Sequence, residues 1–169
     1  MSDPHVFAVA VASAQRWLDD LIRLLSLATD DQRGALQALR AGLHAIRDRL
    51  PAEEVIDLGA QLPLVIRGLY YEGWTGRPDP ARVHHRDELV AKVAEHLGPA
   101  PHVTAREALR GVIALLLRHV SPGEIGDLVA TFPGPIASWW REIAEQAAAP
   151  AEPPPAADAR TIRHTGYRR

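Results

Sequence analysis

The chain has no cysteine among its 169 residues. That excludes a disulfide framework, thiolate zinc ligation and a cysteine nucleophile. It also lacks a long apolar run: Gln15, Arg16, Asp19, Asp20 and Arg23 interrupt the first hydrophobic stretch. No signal peptide is read over residues 1–30, and no segment reaches membrane-spanning length. The cytoplasm is the expected compartment, with no membrane partner. Period-two alternation is missing as well, so no strand is available to carry a phosphate loop or a nucleophile elbow. No HExxH pattern occurs. A metal-dependent enzyme would have to use His84, His85 and Glu88, and no second cluster completes that set. No catalytic residue, metal or cofactor is assigned, and enzymatic activity is not expected.

What remains is a chain long enough for one domain burying roughly two-thirds of its unfolded surface. Residues 1–147 hold fifteen Arg/Lys against nineteen Asp/Glu, while residues 148–169 hold four arginines against two acids. A mildly acidic body argues against nucleic acid as the main partner, although a local basic stripe would still permit it.

Much the same helical unit occurs twice, seventy positions apart. Residues 38–70 and 108–140 align without a gap and share nine residues, among them Arg40/Arg110, Glu54/Glu124, Asp57/Asp127, Leu58/Leu128 and Pro63/Pro133. Each copy must bury an apolar face, and the other copy is the nearest candidate. Charges present in both copies are expected to hold helix turns, as arginine–carboxylate pairs or as carboxylates at helix N-termini.

Helical spacing places Phe7, Val11, Ala14, Leu18, Leu21 and Leu25 on one seam over about residues 5–28. Asp30 is expected to cap a second helix with the seam Leu36, Leu39, Leu43, Ile46 and Leu50. Pro51 starts a third helix, and a fourth runs from Pro63 to about Glu72. After a Gly/Pro loop at 73–84 the second copy repeats the pattern. A short helix carries Leu89, Val93 and Leu97, the next carries Leu109, Ile113, Leu116 and Val120, and a last helix covers about Pro133–Gln146. Thr104 with Glu107, and Ser121 with Glu124, have capping-box spacing. The expectation is an all-α bundle of two pseudo-repeats of three to four helices, repeat one at about 5–74 and repeat two at about 86–147. An Ala/Pro-rich linker at 148–159, able to span roughly 35 Å, and a basic peptide at 160–169 form a disordered tail.

Three groups are candidates for binding a partner. Arg67, Tyr71, Glu72 and Trp74 have hot-spot composition, and Gly68 beside them suggests a close helix approach or a ligand. Arg33, Arg40 and Arg47 recur with Gln37 and His44 opposite the leucine seam, a stripe that could meet phosphates or an acidic partner. Arg163, Tyr167 and Arg168 stand in the tail, where a short peptide behind a spacer suits docking or targeting.

The string RDRLPAEEVIDLGAQLP running into RGLYYEGW at 47–74 resembles the bacterial family designated domain of unknown function 2267 (DUF2267), over about residues 14–140. That resemblance implies an all-helical domain and brings no activity or catalytic residue with it. The leading expectation is a cytoplasmic protein-binding or adaptor module with an unknown protein partner, in which a homodimer is also open. The alternatives are a nucleic-acid binder using the arginine stripe and tail, and cargo addressed to a protein shell by its tail.

Overall fold

The computed structural model describes residues 4–76, 83–99 and 101–148. Among them are eight helices and no strand: α1 (Pro4–Leu24), α2 (Gln32–Arg47), α3 (Ala52–Gln61), α4 (Leu64–Tyr71), α5 (Arg86–Leu97), α6 (Ala105–His119), α7 (Pro122–Ala130) and α8 (Gly134–Ala148). Except for Ala148, which closes α8, the expected linker and basic peptide lie outside the described residues. So do the expectations placed on Arg163, Tyr167 and Arg168.

Local chemistry sets the helix boundaries. Asp31, not Asp30, caps α2, its carboxylate accepting from the Gly34 N–H at 2.9 Å. His102 holds that carboxylate from the other side at 2.7 Å, and these bonds keep Asp31 below the usual carboxylate range. Thr104 and Glu107 form a complete capping box at the start of α6. Ser121 accepts from the Glu124 N–H at α7, with Pro122 at the first helical position. Pro51 and Pro63 stand just before α3 and α4 with extended backbones (ψ 151° at each), where the missing N–H costs nothing. Gly98, at φ 73°, ends α5 in a conformation that a side chain would resist.

The core forms around α2, which contacts α1, α4, α5 and α6. Leu39, Leu43 and Ile46 are fully buried on it, and each contributes roughly 2 kcal/mol of transfer free energy. The α6 seam is buried in the same way at Leu109, Ile113 and Leu116. Gly42 of α2 lies against Val112 of α6, so two positions seventy apart meet face to face where these helices cross. α3 likewise packs against α7. α1 rests on α6 through Trp17, which stacks on His119 at 4.7 Å, while His119 Nε2 bonds Asp20 Oδ2 at 2.7 Å.

The first-helix seam needs correction. Trp17, Leu21 and Ile22 are buried, whereas Phe7 is 70% exposed and Val11 also faces solvent. Periodicity marks an apolar side, but the first turns of α1 extend past the helices that cover the rest.

The α2–α6 crossing yields a sharp expectation. A Cβ on Gly42 would stand 2.6 Å from Val112 Cγ2. Gly42→Ala should destabilise by about 1–3 kcal/mol even though alanine is the better helix former. Adding Val112→Ala should recover part of that loss in urea unfolding.

Candidate partner-binding site

α3 and α4 meet at Pro63, and two of the expected binding residues hold that corner. Arg67 Nη2 donates to the carbonyls of Ala60 (3.1 Å) and Leu62 (3.0 Å), satisfying acceptors that the end of α3 leaves open. The Tyr71 hydroxyl reaches back across α3 to the Val55 carbonyl at 3.2 Å. Its ring lies so close to Gly59 that a Cβ there would collide with the phenol oxygen. The close approach expected of Gly68 therefore belongs to Gly59. Gly68 faces open space, with nothing within 4 Å of where its Cβ would be. Tyr71 and Trp74 keep their rings 5.5 Å apart, both half-buried against the core.

The α2 arginine stripe also needs correction, because its C-terminal part, His44 and Arg47, is buried. The carbonyl end of α4 is the negative end of its dipole, and α2 supplies the positive groups. Arg47 is only 5% exposed. Its Nη1 donates to the carbonyls of Tyr70 (2.6 Å) and Glu72 (2.8 Å), and its Nε and Nη2 reach Asp48. His44 Nε2 bonds the Leu69 carbonyl at 2.7 Å, so that nitrogen carries the proton. Burial outweighs this bond and holds the His44 pKa below the ordinary histidine value, so the ring is neutral at pH 7. Arg40 Nε lies 2.8 Å from the Glu72 carboxylate. Of the three arginines, Arg33 alone stands exposed and apart from this anchor. Tyr70, fully buried between these groups, has its phenol pushed upward by burial.

Of the two arrangements expected for the acids shared by the halves, the structure has carboxylates at helix N-termini. Glu54 and Glu124 do lie in the first turns of α3 and α7. Across the α3–α7 contact they also feel one another's charge and that of Asp57 and Asp127. Burial first, and then these neighbouring carboxylates, raise the pKa of both glutamates. Glu88 is turned back on its own chain: its carboxylate accepts the His84 N–H at 2.7 Å and is held low by the backbone amides of His84 and His85. Among the described residues, no three histidine or acidic side chains gather as metal ligands.

Three exposed residues were missed by the sequence reading. Ile56 on α3 is 55% exposed, and Leu64 and Val65 on α4 are 60% and 41% exposed. They and Gly68 are exposed on α3 and α4, as are the acids Glu53 and Asp57. The aligned halves contained the signal. Seventy positions on stand Gly126, Gly134 and Pro135, so the large apolar groups occur in one copy only.

Two expectations follow. Arg47→Ala leaves two carbonyls and Asp48 without their donor and should cost about 3 kcal/mol in chemical unfolding, whereas Arg33→Ala should stay within about 0.5 kcal/mol. A carboxyl group whose folded pKa is raised opposes folding once ionised, so its contribution worsens as pH rises through the carboxylate range. Glu124→Gln should therefore raise the melting temperature at pH 7 by about 1–3 °C, a modest gain because water screens the site. The difference from wild type should close as pH falls below 4.5, the ordinary glutamate value.

Among the described residues no helix is long and apolar enough to cross a membrane. No curated protein matches the chain. A family described as an uncharacterized conserved protein (DUF2267) matches residues 14–139, which run from within α1 into α8. The chain, with its α2-centred helical core and strapped α3–α4 corner, belongs to the DUF2267 family.

Proposed function

We propose that this protein is a non-enzymatic cytoplasmic binding module, and that the α3–α4 corner receives a protein segment combining aliphatic and basic residues. The observation that carries this reading is the exposure of Ile56, Leu64 and Val65 at positions where the other half has glycine or proline. Exposed aliphatic groups on two packed helices are the kind of feature that marks an interaction site when rimmed by polar groups. Glu53 and Asp57 supply such a rim, and their charge favours a basic partner. Arg67 and Tyr71 serve this reading by holding α4 against α3.

In the same reading Arg163, Tyr167 and Arg168 provide a second contact in an adaptor role, and the 148–159 spacer sets the effective concentration between the two. Addressing the chain to a protein shell through that peptide is a special form of the same idea. Nucleic-acid binding takes a lower place, because only Arg33 of the three α2 arginines it would use stays exposed and apart: Arg47 is buried and Arg40 is paired with Glu72.

A peptide-display selection tests the proposal. Immobilised wild-type protein should enrich sequences in which Lys or Arg alternates with aliphatic residues, and the double variant Leu64→Ser, Val65→Ser should lose that enrichment at an unchanged melting temperature. Equal enrichment on both proteins, or none on either, would refute the surface.

A further inference from the structure

We propose that the cleft between the end of α1, the first half of α6 and the end of α8 binds a small organic carboxylate with an apolar body. This site is separate from the α3–α4 corner and does not depend on it. The cleft has a volume of about 670 Å³ and is open to solvent. That size lies within the range of small-molecule sites.

Comparing positions seventy apart accounts for the cavity. α2 packs against α5, and α6 packs against α1. In the α2–α5 contact the His44 and His96 rings meet edge-on, with centroids 5.7 Å apart, and His44 is buried. Seventy positions after His44 stands Ala114, and seventy before His96 stands Ser26. Both small residues line the cleft, with Leu25 and Ile143 beside them. One contact is filled by two imidazoles, and the matching contact carries a methyl and a hydroxymethyl around a hollow. Ser26 adopts a left-handed backbone (φ 52°) as the chain leaves α1, which is uncommon for a residue with a side chain.

The charge in the cleft differs between the halves in the same manner. Arg40 has the Glu72 carboxylate at 2.8 Å. Arg110, seventy positions on, lines the cleft, and the residue matching Glu72 is Glu142. Glu142 is taken by Arg86, whose Nη1 and Nη2 reach its two carboxylate oxygens, and this pairing holds Glu142 below the ordinary glutamate value. Arg110 instead donates to the neutral Gln146 amide oxygen at 2.7 Å. Glu107, the acid on the same wall, is folded back onto the Thr104 N–H and hydroxyl at 2.8 and 2.7 Å. Arg106, one turn before Arg110, is bound to Asp87 at 2.6 Å.

The cleft thus presents a guanidinium whose partner here is a neutral amide, above a floor of Leu25, Ala114 and Ile143. A planar carboxylate accepts two parallel N–H bonds from guanidinium and gains charge assistance that an amide oxygen cannot supply. The apolar floor then takes the remainder of the molecule.

Titration calorimetry of the full chain with octanoate, and with 1-octanol as the neutral counterpart, tests this assignment. Octanoate should bind saturably at one site per chain, and 1-octanol at least about tenfold more weakly. Arg110→Gln removes an exposed side chain and should weaken octanoate at least about tenfold at an unchanged melting temperature. Ala114→His, which restores the ring found in the other half, should abolish binding. Absence of saturable octanoate binding would overturn the proposal, as would equal affinity for 1-octanol or wild-type affinity in Arg110→Gln. If Ala114→His fails to fold, the Arg110 comparison decides alone.

Discussion

The carbonyl end of α4 is the point on which this structure depends. A helix that ends against a neighbouring helix leaves its last carbonyls short of donors, and each buried unpaired acceptor costs free energy comparable to a lost hydrogen bond. α2 meets that requirement from one side with His44 on Leu69 and Arg47 on Tyr70 and Glu72, and Arg40 holds the Glu72 carboxylate. The arginine would itself be costly to bury if its donors were not matched so fully. Fixing the end of α4 in turn fixes Tyr71 and Arg67, which lock α4 to α3. The outward direction of Ile56, Leu64 and Val65 is therefore set by bonds on the opposite side of the same helices.

The two halves of the chain share their scaffold and differ where it is open. Pro63/Pro133 and Leu58/Leu128 occupy matching places at helix ends and in the core, and Gly42 meets Val112 at the central crossing. Away from these contacts, one half carries aliphatic groups on its surface where the other carries glycine and proline. Ser26 and Ala114, one from each half, line a cleft where the matching contact between the halves holds His96 and His44. Both are places at which a second molecule could touch the chain. The four carboxylates between α3 and α7 are an exception. They are shared by both halves and mutually repulsive, so they weaken a contact that the apolar residues Val55, Leu58, Ile125 and Leu128 hold together.

Much of the fold was legible in the sequence because burial on a helix recurs every three to four residues. The seams through Leu39, Leu43 and Ile46 and through Leu109, Ile113 and Leu116 are core, and the breaks at Pro51, Pro63 and Gly98 fall where expected. The candidate site was less legible. Periodicity says which side of α2 is apolar, but it cannot say that His44 and Arg47 on the polar side are buried too. That information resides in contacts twenty-three to twenty-five residues away, between Arg47 or His44 and α4. Gly68 and Gly59 look alike in a sequence, and only the path of Tyr71 separates them. The exposed turns of α1 failed for a related reason, since an apolar stripe does not reveal where its covering helices end.

Native-state hydrogen exchange, resolved by residue, tests this account most directly. If α2 holds the end of α4, the amides of Ile66–Tyr70 should open only together with those of Leu39–Ile46, at a shared free energy close to that of global unfolding. Exchange of the α4 amides in a separate, much lower-energy opening while α2 stays protected would contradict it.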